Sequence, residues 1–220
     1  MGHYNRETVT KTVTVSHGST PSVFRGSNGD LIAAAAKYGY LGDIDTHVVD
    51  MTYGEGNFWT RYRPTNLIGH DKFKGDGVDF CDLPYDDVSL PTIVFDPPYI
   101  STGNRATSTT DDLYDRFGIG DLSGYASVRA LIDLGLAECS RVLAPKGHLL
   151  VKCMDYTESG RKHWSTFDTY ATARLLGLRM VDRIIHHTGG GPQPHTNVDG
   201  SPRQWKGFRE VTSTLMVFTK

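Results

Sequence analysis

The run Asp96-Pro97-Pro98-Tyr99 combines groups that could act on a flat ring carrying an amino group. Asp96 supplies a carboxylate. Pro97 has no N–H but has a carbonyl, and its fixed φ, followed by Pro98, favours pointing that carbonyl into a site. Two such acceptors can bind the two N–H bonds of an exocyclic amine and stabilise the positive charge that develops as its nitrogen attacks an electrophile. Tyr99 offers a flat face on which an extruded base can stack.

The position of this run in the chain favours a catalytic interpretation. It follows the apolar segment Thr92–Phe95, which is typical of a buried strand that the two prolines end. Ligands of open α/β sheets bind beyond the carboxyl ends of the strands, so the run is expected at a ligand-binding crevice. The alternative interpretation is a proline-rich strand end with a tyrosine packed into the core.

A second group of candidate residues lies where a cofactor would bind. The predicted strand His47–Met51 is followed by a Gly-x-Gly turn, which permits positive φ and close approach of a ligand to the backbone. Trp59 stands where a dinucleotide-binding turn would carry its third glycine, which disfavours a pyrophosphate cofactor and favours a nucleoside without phosphates. A simple tight turn is the alternative interpretation of the glycines alone. The cofactor-binding candidates in this segment are Asp50, Thr52, Tyr53, Gly54 and Gly56.

Further acidic candidates follow at the expected ends of the next two strands. One lies 21 positions after Asp50, behind the predicted strand Thr65–Gly69, where a carboxylate can accept both ribose hydroxyls of a nucleoside cofactor. A third candidate strand, Val78–Phe80, ends beside an Asp that can bind the adenine amino group. The candidate for the ribose is Asp71. The candidates for the adenine are Asp79 and the adjacent Phe80, and Asp82 is an alternative to Asp79 for binding the adenine amino group.

The elements that must position these residues alternate between strand and helix from residue 46 onward. Such alternation predicts an α/β fold with a doubly wound, mostly parallel sheet. The last two strands have no helix pattern between them, which predicts a C-terminal antiparallel hairpin. The predicted helices are Gly29–Tyr40, Ser127–Val142 and Ser165–Leu176, and the remaining predicted strands are Leu149–Cys153, Met180–Ile185 and Leu215–Phe218.

Length and composition narrow the class of protein. The chain has 220 residues, so residues 1–220 are expected to form a single domain with a full core. Its formal net charge of −2 argues against non-specific coating of nucleic acid and confines any such contact to a local patch. No apolar run reaches the ~18 residues of a membrane span and no secretion signal is visible, which predicts a cytoplasmic protein without membrane contact. The histidines and cysteines match no zinc spacing, so no metal is expected.

Two long polar loops and a terminal arm complete the prediction. Residues 1–20 are interpreted as a flexible arm, and residues 101–123 and 188–210 as long functional loops. The first loop follows Tyr99 directly and is a natural lid over a target base. Cationic residues near a tryptophan suit a loop that follows phosphates, although a solvated surface loop is the alternative. The candidates for binding nucleic acid are Arg105, Arg203, Trp205, Lys206 and Arg209.

Taken together, these residues resemble the S-adenosylmethionine-dependent amino-methyltransferases, the N6-adenine and N4-cytosine DNA methylases. Residues 50–56 look like the cofactor motif of that family, and residues 96–99 look like its Asp-Pro-Pro-Tyr catalytic motif. Residues 141–149 and 213–218 are similar to later elements of the family. The resemblance implies a Rossmann-like methyltransferase fold with a seven-stranded sheet, S-adenosyl-L-methionine as cofactor and DNA as substrate. It also implies that the segment before residue 45 helps to bind the cofactor, with Phe24 near the methionine moiety.

The chain departs from the family pattern in one respect. Most such DNA methylases carry a sizeable target-recognition region, and here only the two long loops are available for that role. RNA bases remain an alternative substrate, because the same tetrapeptide occurs in methylases of RNA bases. A non-catalytic module that binds S-adenosylmethionine or nucleic acid is the alternative outside the enzymes.

Overall fold

The computed structural model describes residues 21–99, 124–158, 160–187, 201 and 210–220. The predicted arm at residues 1–20 and almost all of the two predicted loops lie outside these ranges. The helices are α1 (Asn28–Lys37), α2 (Tyr125–Val142) and α3 (Ser165–Leu175). The strands are β1 (Val23–Arg25), β2 (Val48–Asp50), β3 (Leu67–Gly69), β4 (Leu90–Phe95), β5 (Leu143–Cys153), β6 (Tyr156–Glu158), β7 (Arg161–His163), β8 (Arg179–His187) and β9 (Thr212–Thr219).

Seven of these strands form one sheet in the order β1-β8-β9-β5-β4-β2-β3. β5, β4, β2 and β3 run parallel to one another, and β1 runs parallel to β8. β9 is antiparallel to both of its neighbours, β5 and β8. The predicted doubly wound, mostly parallel seven-stranded sheet with a C-terminal antiparallel hairpin is therefore confirmed.

Apolar side chains cover both faces of this sheet, as a doubly wound fold requires. On β5, Leu149 and Val151 join the core that packs against α2, whereas Leu150 joins the core that packs against α1. Helix α1 begins at a capping box in which Ser27 and Asp30 bind each other's backbone N–H groups, which satisfies two donors at the helix start. Because strand side chains alternate between faces, Lys152 shares the face of Leu150.

The third predicted strand, Val78–Phe80, is wrong, because the structure has no strand there. Side-chain carboxylates bind the backbone of this segment instead of a neighbouring strand. Asp76 Oδ1 accepts from the Val78 N–H at 3.3 Å, and Asp79 Oδ1 accepts from the Cys81 N–H at 2.9 Å. Gly77 adopts a φ of 81°, which interrupts extended backbone. Short Asp-stabilised turns of this kind compete with sheet hydrogen bonds.

Three short elements were not predicted from the sequence: β1 and the antiparallel pair β6 and β7. Each has only three residues. The predicted strand Leu149–Cys153 begins earlier, at Leu143, and contains an irregularity around Pro145 and Gly147. There the pairing with β4 jumps from Leu143 to His148, and Lys146 adopts a φ of 63°.

The order of strands creates a crevice at one edge of the sheet. After β2 the chain moves to one side to form β3 and then crosses to the other side to form β4. At such a switch point the connections from two neighbouring strands separate, and ligands of open α/β sheets bind there. Among the helices that the structure describes, none is both long and apolar enough to cross a membrane.

Candidate active site

A cavity of about 280 Å³ opens at this switch point. The turn after β2 lines one side, and the tetrapeptide after β4 lines the other. Predicted site residues that line it are Asp50, Thr52, Tyr53, Gly54, Asp71, Phe80, Asp96, Pro98 and Tyr99. Lining residues that were not named individually as candidates from the sequence are Asn28, Met51, Glu55, Asn57, Phe58, Lys72, Phe73, Lys74 and Lys152, of which Met51 and Glu55 lie within the motif at residues 50–56.

Asp50 is a buried carboxylate that organises the turn after β2. Its Oδ1 accepts from the Thr52 backbone N–H at 3.0 Å, and its Oδ2 accepts from the Trp59 indole N–H at 2.7 Å. Trp59, which replaces the third glycine of a dinucleotide-binding turn, thus binds the acidic residue at the end of β2. Burial raises the pKa of Asp50 to about 7, against the opposing effect of these hydrogen bonds.

The raised pKa of Asp50 predicts a pH dependence of stability. The unfolded chain releases the Asp50 proton near pH 4, whereas the folded chain keeps it up to about pH 7. Between these values the folded state holds the extra proton, so the free energy of unfolding decreases as pH rises, by roughly 1 kcal/mol per pH unit from this group. Asp50→Asn should remove that part of the slope. Urea denaturation from about pH 4.5 to 7 would measure it, and equal slopes in both proteins would contradict the assignment.

Thr52 joins the two sides of the cavity. Its hydroxyl accepts from the Asp96 backbone N–H at 2.7 Å and lies 3.4 Å from Asp50 Oδ1, to which it can donate. A single hydroxyl therefore links the end of β2 to the first residue after β4. This contact fixes the start of the tetrapeptide relative to the turn that faces it.

Replacing Thr52 by Val should destabilise this link. The isosteric methyl group leaves the Asp96 N–H without its acceptor, which costs about 1–3 kcal/mol for a buried donor. Thr52→Ser keeps the hydroxyl and should stay within about 1 kcal/mol of the wild type. Chemical denaturation of both variants would measure the difference. If Thr52→Val were as stable as Thr52→Ser, the hydroxyl bridge would make no contribution to the free energy of unfolding.

The glycine turn presents bare backbone to the cavity. Gly54 adopts a φ of 52°, and a Cβ added there would meet no atom closer than 3.9 Å, so this surface is open to a ligand. Gly56 has a different role and does not line the cavity: at a φ of 72°, a Cβ there would come within 2.6 Å of the Tyr53 hydroxyl. Gly54 is thus the position of close ligand approach, and Gly56 makes room for Tyr53.

Asp71 lies at the cavity wall as expected, but its carboxylate is largely occupied. It accepts backbone N–H groups from Gly54 at 3.0 Å, Phe73 at 2.9 Å and Lys74 at 2.7 Å. A carboxylate has about four acceptor positions, so roughly one remains for a ligand. Asp71 therefore has room to accept a hydrogen bond from one ribose hydroxyl, whereas the sequence predicted that it would accept from both.

Three other candidates lie away from the cavity. The Asp79 carboxylate pairs with Lys72 Nζ at 2.5 Å and does not line the cavity, although its neighbour Phe80 does. Asp82 does not line it either. Phe24 packs against His186, with ring centroids 5.9 Å apart, in the core on the α1 side of the sheet. The candidates Arg105, Arg203, Trp205, Lys206 and Arg209 lie outside the described residues.

Asp96 carries an unpartnered acceptor at the cavity. Within the described part of the chain its Oδ1 is inaccessible to solvent and has no hydrogen-bond partner. Burial raises the pKa of Asp96, and the nearby Lys152 ammonium opposes that rise. Pro97 is buried and does not line the cavity, while Pro98 and Tyr99 do. An acceptor without a donor is costly in a buried site, so this carboxylate differs from Asp50 and Asp71, whose oxygens receive hydrogen bonds.

Lys152 is the main site residue that the sequence did not identify. Its Nζ lies 3.7 Å from Asp96 Oδ1 and donates to the Tyr99 hydroxyl at 3.3 Å. It also stands over two aromatic rings, 5.5 Å from the centroid of Tyr99 and 5.7 Å from that of Phe58. The available signal was a single lysine in the otherwise apolar strand Leu149–Cys153. Lysines are almost never fully buried unless they are paired.

Comparisons with known proteins find similarity only to the backbone structures of solved proteins. No family model matches the chain, and no curated protein matches it. A protein from Thermus thermophilus, described as a candidate DNA modification methylase and crystallised with S-adenosyl-L-methionine, is 15% identical over 80% of this chain and 56% of its own, with a TM-score of 0.43. The cytosine-N4-specific PvuII DNA methyltransferase is 10% identical over 64% of this chain and 47% of its own, with a TM-score of 0.44.

A third solved structure matches more of its own length. A candidate sarcosine dimethylglycine methyltransferase from Galdieria sulphuraria is 11% identical over 87% of this chain and 84% of its own, with a TM-score of 0.49. By contrast, this chain spans about half the length of the Thermus thermophilus protein and of the PvuII DNA methyltransferase.

Proposed function

We propose that the chain transfers a methyl group from S-adenosyl-L-methionine to the exocyclic amine of adenine (N6) or cytosine (N4) in DNA, with residues 1–220 acting as one methyltransferase domain. The observation that carries the proposal is the Asp96 carboxylate, which lines a cavity shared with the glycine turn and whose Oδ1 receives no hydrogen bond from the described residues. A carboxylate acceptor (Asp96) beside an aromatic ring (Tyr99) suits a flat base that carries an amino group. Bare backbone on the opposite wall matches a nucleoside cofactor.

The residues around the glycine turn fit S-adenosylmethionine. Gly54 exposes backbone where a Cβ would otherwise project, and Asp71 keeps one acceptor position for a ribose hydroxyl. Asp50 stands at the end of β2, where its ionised form would attract the positive charge of the cofactor. The cavity, at about 280 Å³, is just below the roughly 300–1,000 Å³ that is typical of small-molecule sites.

The tetrapeptide residues would then orient the base. When bound, the cofactor supplies a methyl group on a positively charged sulfur. The Asp96 carboxylate would accept one N–H of the target amine, which directs the nitrogen lone pair toward the methyl carbon. The Pro97 carbonyl, expected from the sequence as the second acceptor, belongs to a residue that is buried and does not line the cavity. Formation of the N–C bond with loss of the cofactor's C–S bond would leave a positive charge on nitrogen, which the Asp96 carboxylate would stabilise before taking up the released proton. Tyr99 holds the base by stacking.

Transfer of labelled methyl groups tests this proposal. The purified protein is incubated with S-adenosylmethionine labelled in its methyl group and with duplex DNA, single-stranded DNA or RNA, and each polymer is digested to nucleosides for mass spectrometry. We expect N6-methyladenine or N4-methylcytosine from DNA. Label in RNA alone would support an RNA-base amino-methyltransferase. Label in no polymer, with cofactor binding intact by calorimetry, would support the non-catalytic module.

A further inference from the structure

Lys152 places a positive charge in the interior of the candidate site. Its side chain is 4% exposed, and it projects from β5 on the face that carries Leu150. Burial disfavours an ammonium group, but the neighbouring Asp96 and Tyr99 outweigh this and raise the pKa of Lys152 above its usual range. A buried charge of this kind is retained only where nearby groups compensate its lost hydration. Those groups here are the two candidate catalytic side chains.

Asp96 in turn depends on a nearby positive charge. Its Oδ1 is buried and receives no hydrogen bond from the described residues, so burial favours the neutral acid. Oδ1 lies 3.7 Å from Lys152 Nζ, which is close enough for strong attraction but beyond a hydrogen bond. Lys152 therefore balances the charge of Asp96 without occupying a hydrogen-bonding position of Oδ1.

Other titratable groups around Asp96 do not provide this balance. Asp50, at the end of β2, is acidic, and its ionised form raises the pKa of the Asp96 carboxyl group. His186, from β8, lowers the pKa of Asp96 less than Lys152 does, and because burial lowers its own pKa it is neutral at about pH 7. Burial also raises the pKa of the Tyr99 phenol and, to about 12, that of the Cys153 thiol, so both are neutral. Lys152 is the cation of this group.

We propose that Lys152 is a positioning residue of the site, whose ammonium group keeps the Asp96 carboxylate ionised and fixes the Tyr99 ring beside it. This inference rests on the proposed function, because it assigns Lys152 to the methyl-transfer reaction. An ionised Asp96 can accept an amine N–H, whereas a protonated Oδ1 would meet that N–H with a hydrogen of its own. The bond from Nζ to the Tyr99 hydroxyl sets the plane on which the base stacks.

Titration of Asp96 tests the charge role without any substrate. In protein labelled with ¹³C at the aspartate carboxyl carbons, the Asp96 signal is identified as the one missing from Asp96→Asn. Lys152→Met should raise the pKa of Asp96 by about one to three pH units, the range for loss of an opposite charge within a few ångströms. Lys152→Arg keeps the charge and should leave the pKa near the wild-type value. An unchanged pKa in Lys152→Met overturns the proposal.

A matched lysine provides the control. Lys162 is 24% exposed, pairs with Glu210 at 2.9 Å and stands over the Trp164 ring, away from the cavity. Lys162→Met should leave the Asp96 titration unchanged, and a shift equal to that of Lys152→Met would contradict a specific pairing. If Lys152→Met does not fold, the reverse measurement decides: Asp96→Asn should lower the pKa of the Lys152 ammonium, followed by its ¹⁵Nζ signal, and no decrease refutes the proposal.

Activity separates this inference from the proposed function. With wild-type transfer established, the acid limb of kcat/KM in Lys152→Met should move up with the Asp96 pKa, and Lys152→Arg should restore its position. A uniform loss at every pH would indicate a merely structural lysine and would overturn the positioning role. If wild-type protein methylates no nucleic acid, the proposed function fails, and the Asp96 titration still decides whether Lys152 controls that carboxylate.

Discussion

Asp96→Asn is expected to lower kcat for methyl transfer by at least about 10²-fold, the usual cost of removing one preorganised electrostatic partner of a transition state. The amide keeps the shape of the carboxylate but carries no charge, so it stabilises the positive amine nitrogen far less. Cofactor affinity should stay within about threefold, because Asp96 makes no hydrogen bond to the glycine turn except through its backbone N–H. Single-turnover kinetics and calorimetry would measure the two quantities separately.

A second carboxylate controls for the loss of an ion pair. Asp133 pairs with Arg129 on α2 and does not line the cavity. Asp133→Asn should therefore transfer methyl groups at the wild-type rate. Wild-type activity in Asp96→Asn would remove the acceptor role on which the mechanism depends. A loss of cofactor binding as large as the loss of rate would instead assign Asp96 to the cofactor.

The sequence predicted the parts of the fold that depend on repeating patterns. Alternating and continuous apolar runs indicated β2, β4, β5, β8 and β9, and the two prolines after Phe95 marked where β4 ends. Parallel strands bring their carboxyl ends to one edge, so the turn at Gly54 and the tetrapeptide at Asp96 could be expected near each other. Their meeting at one cavity follows from the strand order rather than from either motif alone.

Features that depend on contacts between distant residues could not be predicted. The Val78–Phe80 segment has strand-like composition, but carboxylates of nearby residues bind its backbone, and no pattern reveals that competition. The bond from Trp59 to Asp50 joins residues nine positions apart across a turn whose shape the sequence does not specify. Lys152 acquires its importance only from the spatial proximity of Asp96, which lies on another strand connection.

Tyr99 should contribute most of the binding energy for the target base. Its ring is half-buried, lines the cavity and is anchored through its hydroxyl to Lys152 at 3.3 Å. Stacking of one base on an aromatic side chain is worth about 1–3 kcal/mol, or roughly 5- to 150-fold in affinity. Tyr99→Ala should weaken binding of single-stranded DNA by that factor, whereas Tyr99→Phe keeps the ring and should lose only about 1 kcal/mol or less.

The Tyr99 ring also contacts the core beside α2, so a stacking role has to be distinguished from a packing role. If Tyr99 stacks on a base, its removal costs affinity only where a base is present. Fluorescence anisotropy should therefore show a large difference between the wild type and Tyr99→Ala on an ordinary oligonucleotide and almost none on an abasic oligonucleotide of equal length. An equal loss on both polymers, together with a lowered free energy of unfolding, would mean that Tyr99 supports the core. That result would leave Asp96 without the surface that presents the amine to it.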